Sequence, residues 1–301
     1  MINLVQLEKK TVNWREDPFP EDNPFEVKVQ SFESGEDIQL YNYRYQCKGV
    51  TSPKAVIMIF HGFGSYTGKY GYYAKYFADQ GYEVVGFDFR GFGKTEGQSG
   101  HLGTWEQHLR DCWKYYDIVR KEYDEKIPFV GCGYSLGGGT TYSMAIERPD
   151  AFRVLIQLAP YVDFATGSHP AYHTAKQIYK FYPRLEICPP LRNPAPHMCH
   201  YYNDPLQVSA GITAGSLMTL FECKDFILEN YKSIKTDMHI TVGDCENIVS
   251  RAALQTLTLE AEAEVKEYHE YPGVNHYLLN DGIWMEDIIN GQLKFLEKIL
   301  Q

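Results

Sequence analysis

A continuous apolar run, "KAVIMIF" (54–60), followed by alternating helix and strand patterns constrains this sequence more than any other feature. It lacks the apolar–polar alternation of a strand with one wet face, and the further strand patterns are "YEVVGFDF" (82–89), "IPFVGCG" (127–133), "FRVLIQLA" (152–159) and "DMHITVGD" (237–244). Runs of this kind are strands buried on both faces, which belong to parallel sheets covered by helices on either side. Helical patterns near 69–80, from Thr104 to Tyr123, from Leu136 to Glu147 and over 250–262 supply the crossovers. A strand "AEVKEYHEY" (263–271) and a helix from Trp284 to Leu300 follow. Ahead of the first run, "FEVKVQSF" and "IQLYNYRYQ" alternate around the turn "ESGED" and read as a hairpin. The expected fold class is α/β, with a mostly parallel central sheet and helices on both faces.

The rhythm fails once. Residues 160–233 carry eight prolines and no strand pattern, so they read as an inserted helical or looped cap. The core is then 1–159 and 234–301, with the Pro-rich, acidic residues 1–24 as an extended lead-in. A net charge of −10 and the lack of any dense Lys/Arg run exclude nucleic acid as a partner. Seven scattered cysteines with no C-x-x-C pair fit reduced thiols in a cytosolic compartment. "MINLVQLEKK" is too short an apolar run for a signal peptide, and no stretch approaches the ~20 apolar residues of a membrane span. The expected location is cytoplasmic.

One motif points to chemistry. In "FVGCGYSLGGGTT" (129–141) a buried strand meets a helix at Ser135, inside the pattern G-Y-S-L-G. A serine hydroxyl attacks only when it is exposed, has a base to take its proton, and has donors for the oxyanion it creates. Flanking glycines permit a turn sharp enough to lift Ser135 above the sheet. Leu136 opens the helix, so its backbone N–H can face the developing negative charge. The bland reading of Gly137 and Gly138, close packing of helix on sheet, holds alongside. A second oxyanion donor is expected from "HGFG" (61–64), which follows another buried strand, and the N–H of Phe63 is the candidate. His61 itself reads as a structural histidine that organises this loop rather than as a proton carrier.

With "HGFG", "FDFRGFGKTEGQSG" (87–100) and "GYSLGG" (133–138) in that order, the chain resembles the monoglyceride lipase and lysophospholipase-like α/β-hydrolases. The middle segment is similar to that family's D-x-x-G-x-G-x-S-x-G through Asp88, Gly91, Gly93 and Gly97, with Thr95 in place of the serine. "YYNDPL" (201–206) resembles the Asp-Pro-Leu segment near the end of the family's cap, and "GVNHYLLND" (273–281) its histidine loop. The resemblance runs from about residue 26 to the C-terminus. It implies an α/β-hydrolase fold with an inserted cap, and cleavage of carboxylic esters such as monoacylglycerols or lysophospholipid-like molecules through an acyl-enzyme. His276 falls where the family's base stands, in the order Ser, acid, His. The family's acid pattern G-x-x-D-x-x-V aligns with "GDCENIV" (243–249), which puts Glu246 at the acid position and leaves Asp244 as its competitor. A serine peptidase or thioesterase on the same scaffold, and an inactive fold serving as a binding or assembly module, remain alternatives.

The cap segment is rich in aromatic residues, among them Tyr161, Phe164, Tyr172, Tyr179, Phe181, Tyr182 and Phe221. An apolar lining removes an acyl chain from water at ~0.8 kcal/mol per CH₂. Tyr134, Tyr161, Leu217 and Met218 are the candidate substrate contacts, although packing of cap on core would use the same residues. The cap is also where transient contact with a membrane surface would occur. His169 with His173, and His197 with Cys199 and His200, offer metal-like spacings but lack the second paired set of a structural zinc site. No cofactor and no metal is expected from these motifs.

Overall fold

The computed structural model describes residues 25–34, 38–47, 49–166, 172–188, 204, 206–207, 211–279 and 284–301. An eight-stranded sheet forms the centre. Its strands are β1 (Phe25–Glu33), β2 (Gln39–Cys47), β3 (Val56–Phe60), β4 (Glu83–Phe87), β5 (Phe129–Tyr134), β6 (Val154–Leu158), β9 (Asp237–Gly243) and β10 (Lys266–Tyr271), in the spatial order β1-β2-β4-β3-β5-β6-β9-β10. The alternating segments form the antiparallel hairpin β1–β2, and β2 pairs antiparallel with β4. Every other pairing is parallel. Strands β3, β4, β6 and β9 are buried along their whole length, β9 although its sequence alternates apolar residues with Asp237, His239 and Thr241.

Seven α-helices accompany these strands among the described residues: α1 (Gly71–Asp79), α2 (Trp105–Arg120), α3 (Leu136–Glu147), α4 (Tyr172–Tyr179), α5 (Ala214–Asn230), α6 (Arg251–Glu260) and α7 (Met285–Ile299). Thr104 starts α2 with a reciprocal cap: its hydroxyl accepts from the Gln107 N–H at 3.1 Å, and the Gln107 side chain accepts from the Thr104 N–H at 2.9 Å. Helices α1 and α7 pack together, and α2, α3 and α5 form a second group. A Tyr73 hydroxyl donating to Gln292 Oε1 at 2.6 Å ties the first pair.

The expected core elements appear within one to three residues of their anticipated ends. The segment between β6 and β9 needs a correction. It was expected to hold no strands, yet β7 (Glu186–Cys188) and β8 (Ile212–Thr213) pair antiparallel as a small separate sheet. Strands of three and two residues are too short to leave a periodic pattern. Its long helix α5 begins at a Thr213 cap and is buried over most of its first eight residues. Ser216 and Thr219 on α5 donate to the carbonyls of Gly100 and Gly103 at 2.7 Å each, so this helix is bonded into the core. The lead-in over 1–24 and the residues His169, His197, Cys199 and His200 lie outside the described residues.

Two glycines decide how α3 meets the sheet. A Cβ on Gly133 would sit 2.5 Å from the Gly137 carbonyl oxygen, and one on Gly137 would overlap the Phe60 carbonyl at the end of β3. The obstacle in both cases is backbone, which cannot move aside as a flexible side chain can. Gly137→Ala is therefore expected to cost about 3 kcal/mol or more, read as a lowered urea midpoint at unchanged slope. A midpoint equal to that of the parent protein would show that α3 does not need this contact.

Candidate active site

Strand β5 ends at Tyr134 and α3 starts at Leu136, which leaves Ser135 alone to turn the chain. Its backbone sits at φ 52°, ψ −116°, in the left-handed region that side-chain-bearing residues avoid. Hydrogen bonds hold it there. The Ser135 N–H donates to the Leu158 carbonyl at 3.0 Å, and the Ser135 carbonyl accepts from the N–H groups of Gly138, Gly139 and Tyr161 at 2.8, 3.2 and 2.8 Å. The strained turn leaves the serine half-buried at the end of the sheet.

The loop after β3 runs beside it. A Cβ on Gly62 would come 3.3 Å from the Ser135 Cβ, which places the Gly62–Phe63 peptide against the serine. His61 is fully buried, accepts the Phe89 N–H on Nε2 at 2.9 Å and donates from Nδ1 to the Gly62 carbonyl at 2.9 Å. Burial pushes its pKa down to about 3, against a small opposing effect of the Gly62 bond, so the ring stays neutral. Both ring nitrogens are occupied in orienting the loop. Among the described residues neither the Phe63 N–H nor the Leu136 N–H, the latter at the helix start, donates to a backbone carbonyl.

His276 stands on the loop after β10. Its Nδ1 lies 2.7 Å from Glu246 Oε2, and both side chains are almost wholly buried, at 6% and 0% exposure. Since an ionised carboxylate only accepts, Nδ1 carries a proton, and in the neutral ring Nε2 is the nitrogen with the lone pair. The other carboxylate oxygen of Glu246 accepts from the N–H groups of Ile248 and Val249 at 2.7 and 3.1 Å. Burial would raise the Glu246 pKa, but the His276 bond and charge, with the two backbone donors, outweigh it and hold the carboxyl below its ordinary value. Tyr134, the neighbour of Ser135, links base to turn: its hydroxyl donates to the His276 carbonyl at 2.6 Å and its ring stacks on the imidazole at 5.8 Å. Asp244 points elsewhere. Its carboxylate accepts the Gly273 N–H at 2.8 Å and so shapes the turn that leads into the histidine loop.

The glycine-rich segment after β4 buttresses the site. Buried Asp88 accepts from the Thr67 and Lys94 N–H groups at 2.7 and 3.0 Å and from the Tyr43 hydroxyl at 3.2 Å. Thr95 performs the work of the expected serine, donating to the Asp88 carbonyl at 2.7 Å and accepting the Tyr41 N–H at 3.0 Å. Sequence reasoning missed a further link. Gln207 donates to the Gly64 carbonyl and accepts from Lys69 Nζ at 2.7 Å, while the Tyr66 hydroxyl donates to Asp204 at 2.7 Å. The Asp-Pro-Leu segment was the available signal, since it brings Asp204 and Gln207 onto the loop that carries Phe63.

Of the other anticipated contacts, Tyr161 is buried behind the turn, with its hydroxyl on the Leu220 carbonyl at 3.2 Å. Leu217 and Met218 are buried on α5. His173 lies edge-on to Tyr172 at 5.3 Å.

Residues 51–282 match the family model described as serine aminopeptidase, S33. The monoacylglycerol lipase of Mycolicibacterium smegmatis is 23% identical over 237 residues, covering 77% of this chain and 84% of its own. Among solved structures, the Paleococcus ferrophilus monoacylglycerol lipase aligns with a TM-score of 0.75 at 24% identity, covering 86% of this chain and 98% of that one. A thermostable carboxyl esterase from Bacillus coagulans aligns with a TM-score of 0.79 at 18% identity, covering 91% and 99%. These likenesses show the α/β-hydrolase fold.

The carboxyl of Glu246 binds its proton less readily in the folded chain than in the unfolded one. Its contribution to stability is therefore complete above the ordinary carboxylate range and is lost as the pH falls through the lowered folded value. Thermal midpoints followed from pH 7 down to pH 3 should decline less steeply in Glu246→Gln than in the parent; parallel curves would remove the His276–Glu246 bond as the cause.

Proposed function

The chain belongs to the serine aminopeptidase S33 family of α/β-hydrolases, and on that premise we propose that it hydrolyses carboxylic esters through an acyl-enzyme on Ser135, with monoacylglycerols or lysophospholipid-like esters as substrates. The observation that carries this reading is the 2.7 Å His276–Glu246 pair, tied through Tyr134 to the neighbouring serine held in a left-handed turn. Nε2 of His276 takes the Ser135 hydroxyl proton as Oγ attacks the ester carbonyl. The N–H groups of Phe63 and Leu136 receive the oxyanion, with the positive end of α3 behind the second. His276 then returns the proton to the leaving alkoxide, the acyl-enzyme forms, and a water activated by the same nitrogen releases the acid. Glu246 fixes the imidazole tautomer and stabilises the imidazolium. Asp244, bonded to the turn instead, is a positioning residue at most.

A lipid substrate is supported by the monoacylglycerol lipase names of the relatives and by the apolar side chains of the segment between β6 and β9. Phe181, Tyr182 and Leu185 follow α4 with exposures of 76%, 67% and 50%, an apolar cluster facing solvent. Transient docking of this cluster on a lipid surface belongs to the proposal. Among the described residues no helix is long and apolar enough to cross a membrane. Cys112, Cys132, Cys223 and Cys245 are free thiols, which supports a reducing, cytoplasmic setting.

A fluorophosphonate should add one label to the protein, read by intact mass, and Ser135→Ala should take none. Glu246→Gln is expected to lower kcat/KM on a short soluble ester by about 10²–10⁴-fold, whereas Asp244→Asn stays within about threefold. The reverse order would make Asp244 the acid. Faster turnover of aminoacyl amides or thioesters than of oxygen esters would replace the esterase reading with the peptidase or thioesterase one, and a folded protein inert to every probe would leave a binding module. For the apolar cluster, Phe181→Asp with Tyr182→Asp should slow hydrolysis of vesicle-borne monoacylglycerol about tenfold and leave soluble-ester turnover unchanged. Equal loss on both substrates would place the defect in the site itself.

A further inference from the structure

One strand in from the β10 edge of the sheet, β9 carries a histidine between Met238 and Ile240, in "DMHITVG", buried throughout. His239 is 1% exposed, and an imidazole there is costly unless it serves some interaction. The parallel register pairs Glu267 of β10 with His239, and His269 lies two residues further along β10. Side chains two apart on a strand share a face, so all three project to the same side. Their ligand-type atoms lie within 4.8 Å of one another.

We propose that His239, Glu267 and His269 form a site for one divalent transition-metal ion, of which zinc fits the donor set best. Two imidazoles and a carboxylate are borderline ligands suited to zinc, with a fourth tetrahedral position left to water. Glu267 Oε2 and His269 Nε2 are 3.3 Å apart. The surroundings orient the ligands. Lys298 holds Glu267 Oε1 at 2.9 Å and leaves Oε2 toward His269, while the Thr241 hydroxyl lies 3.4 Å from His239 Nδ1, the second-sphere arrangement that leaves Nε2 to a metal. The His239 and His269 rings stack at 4.6 Å, so coordination turns His269, whose side chain is 44% exposed and has room to do so. An ion here ties β9 to β10, the strands whose following loops carry Glu246 and His276, and its effect is on the stability of that pair rather than on bond cleavage.

The test is calorimetric titration of the tag-free, chelator-treated full chain with zinc chloride, beside thermal melts. One zinc per chain, removed by EDTA, is expected, with a rise in Tm of roughly 5 °C at a hundredfold excess over Kd. His269→Ala and Glu267→Gln, both at partly exposed positions, should each weaken the event at least tenfold. Lys298→Ala should tighten it severalfold by removing a competing cation, and His276→Ala should leave it in place. Cobalt(II) should give visible d–d bands that vanish in His269→Ala. No zinc event, one that survives both His269→Ala and Glu267→Gln, or one that His276→Ala abolishes would overturn the proposal.

Discussion

A helix that meets two strands through bare backbone is the constraint on which the rest of the site depends. Gly133 and Gly137 bring the first turn of α3 against β5 and the end of β3, closer than any Cβ would permit. That approach squeezes the chain reversal into the single residue Ser135 and forces it to a positive φ. The strain is offset locally, because the Ser135 carbonyl gathers three N–H donors and its own N–H is bonded to β6. The same closeness lays the Gly62–Phe63 peptide beside the serine. The proposed nucleophile and the proposed oxyanion donors are thus consequences of one packing contact rather than separately placed parts.

Two histidines flank this contact, and their surroundings divide the labour. His61 is sealed in, both nitrogens occupied and the ring neutral. His276 has a buried carboxylate on one nitrogen and leaves the other available. What separates them is the partner, since both are buried: a pair of backbone groups makes an imidazole a strut, whereas a carboxylate makes it ready to accept charge.

Much of the fold was legible because strands buried on both faces tend to be continuously apolar, as β3 is, and such runs survive in sequence with little ambiguity, whereas β9 is buried although it alternates. The helical pattern from Thr104 likewise located the start of α2, while the part played by Gln107 came only with the structure. The three- and two-residue strands β7 and β8 were not legible, since nothing periodic can be read from so few residues. Within the site, Ser135 and the histidine loop were marked by spacing. Glu246 and Asp244 could not be separated by it: they stand two apart on one loop, and only the turn between them decides that Glu246 faces His276 while Asp244 faces Gly273. Glutamate's additional methylene is compatible with this because the backbone N–H groups of Ile248 and Val249 hold its second oxygen in place. Links that join distant segments, such as Gln207 to Gly64 or His239 to Glu267, depend on register and tertiary packing and leave no trace in either segment alone.

The pairing of β6 with β9 has a consequence for how such a chain can change. Leu158 lies opposite Thr241, so the sheet is closed across an excursion of about 80 residues. The entropy lost in closing a loop grows only with the logarithm of its length, and doubling the excursion would cost ~0.6 kcal/mol. Lengthening, trimming or replacing that segment is therefore thermodynamically cheap, provided that α5 keeps its seat on the core. That segment is thus the part of the chain most open to alteration in length during descent, while the strained turn at Ser135 stays as it is.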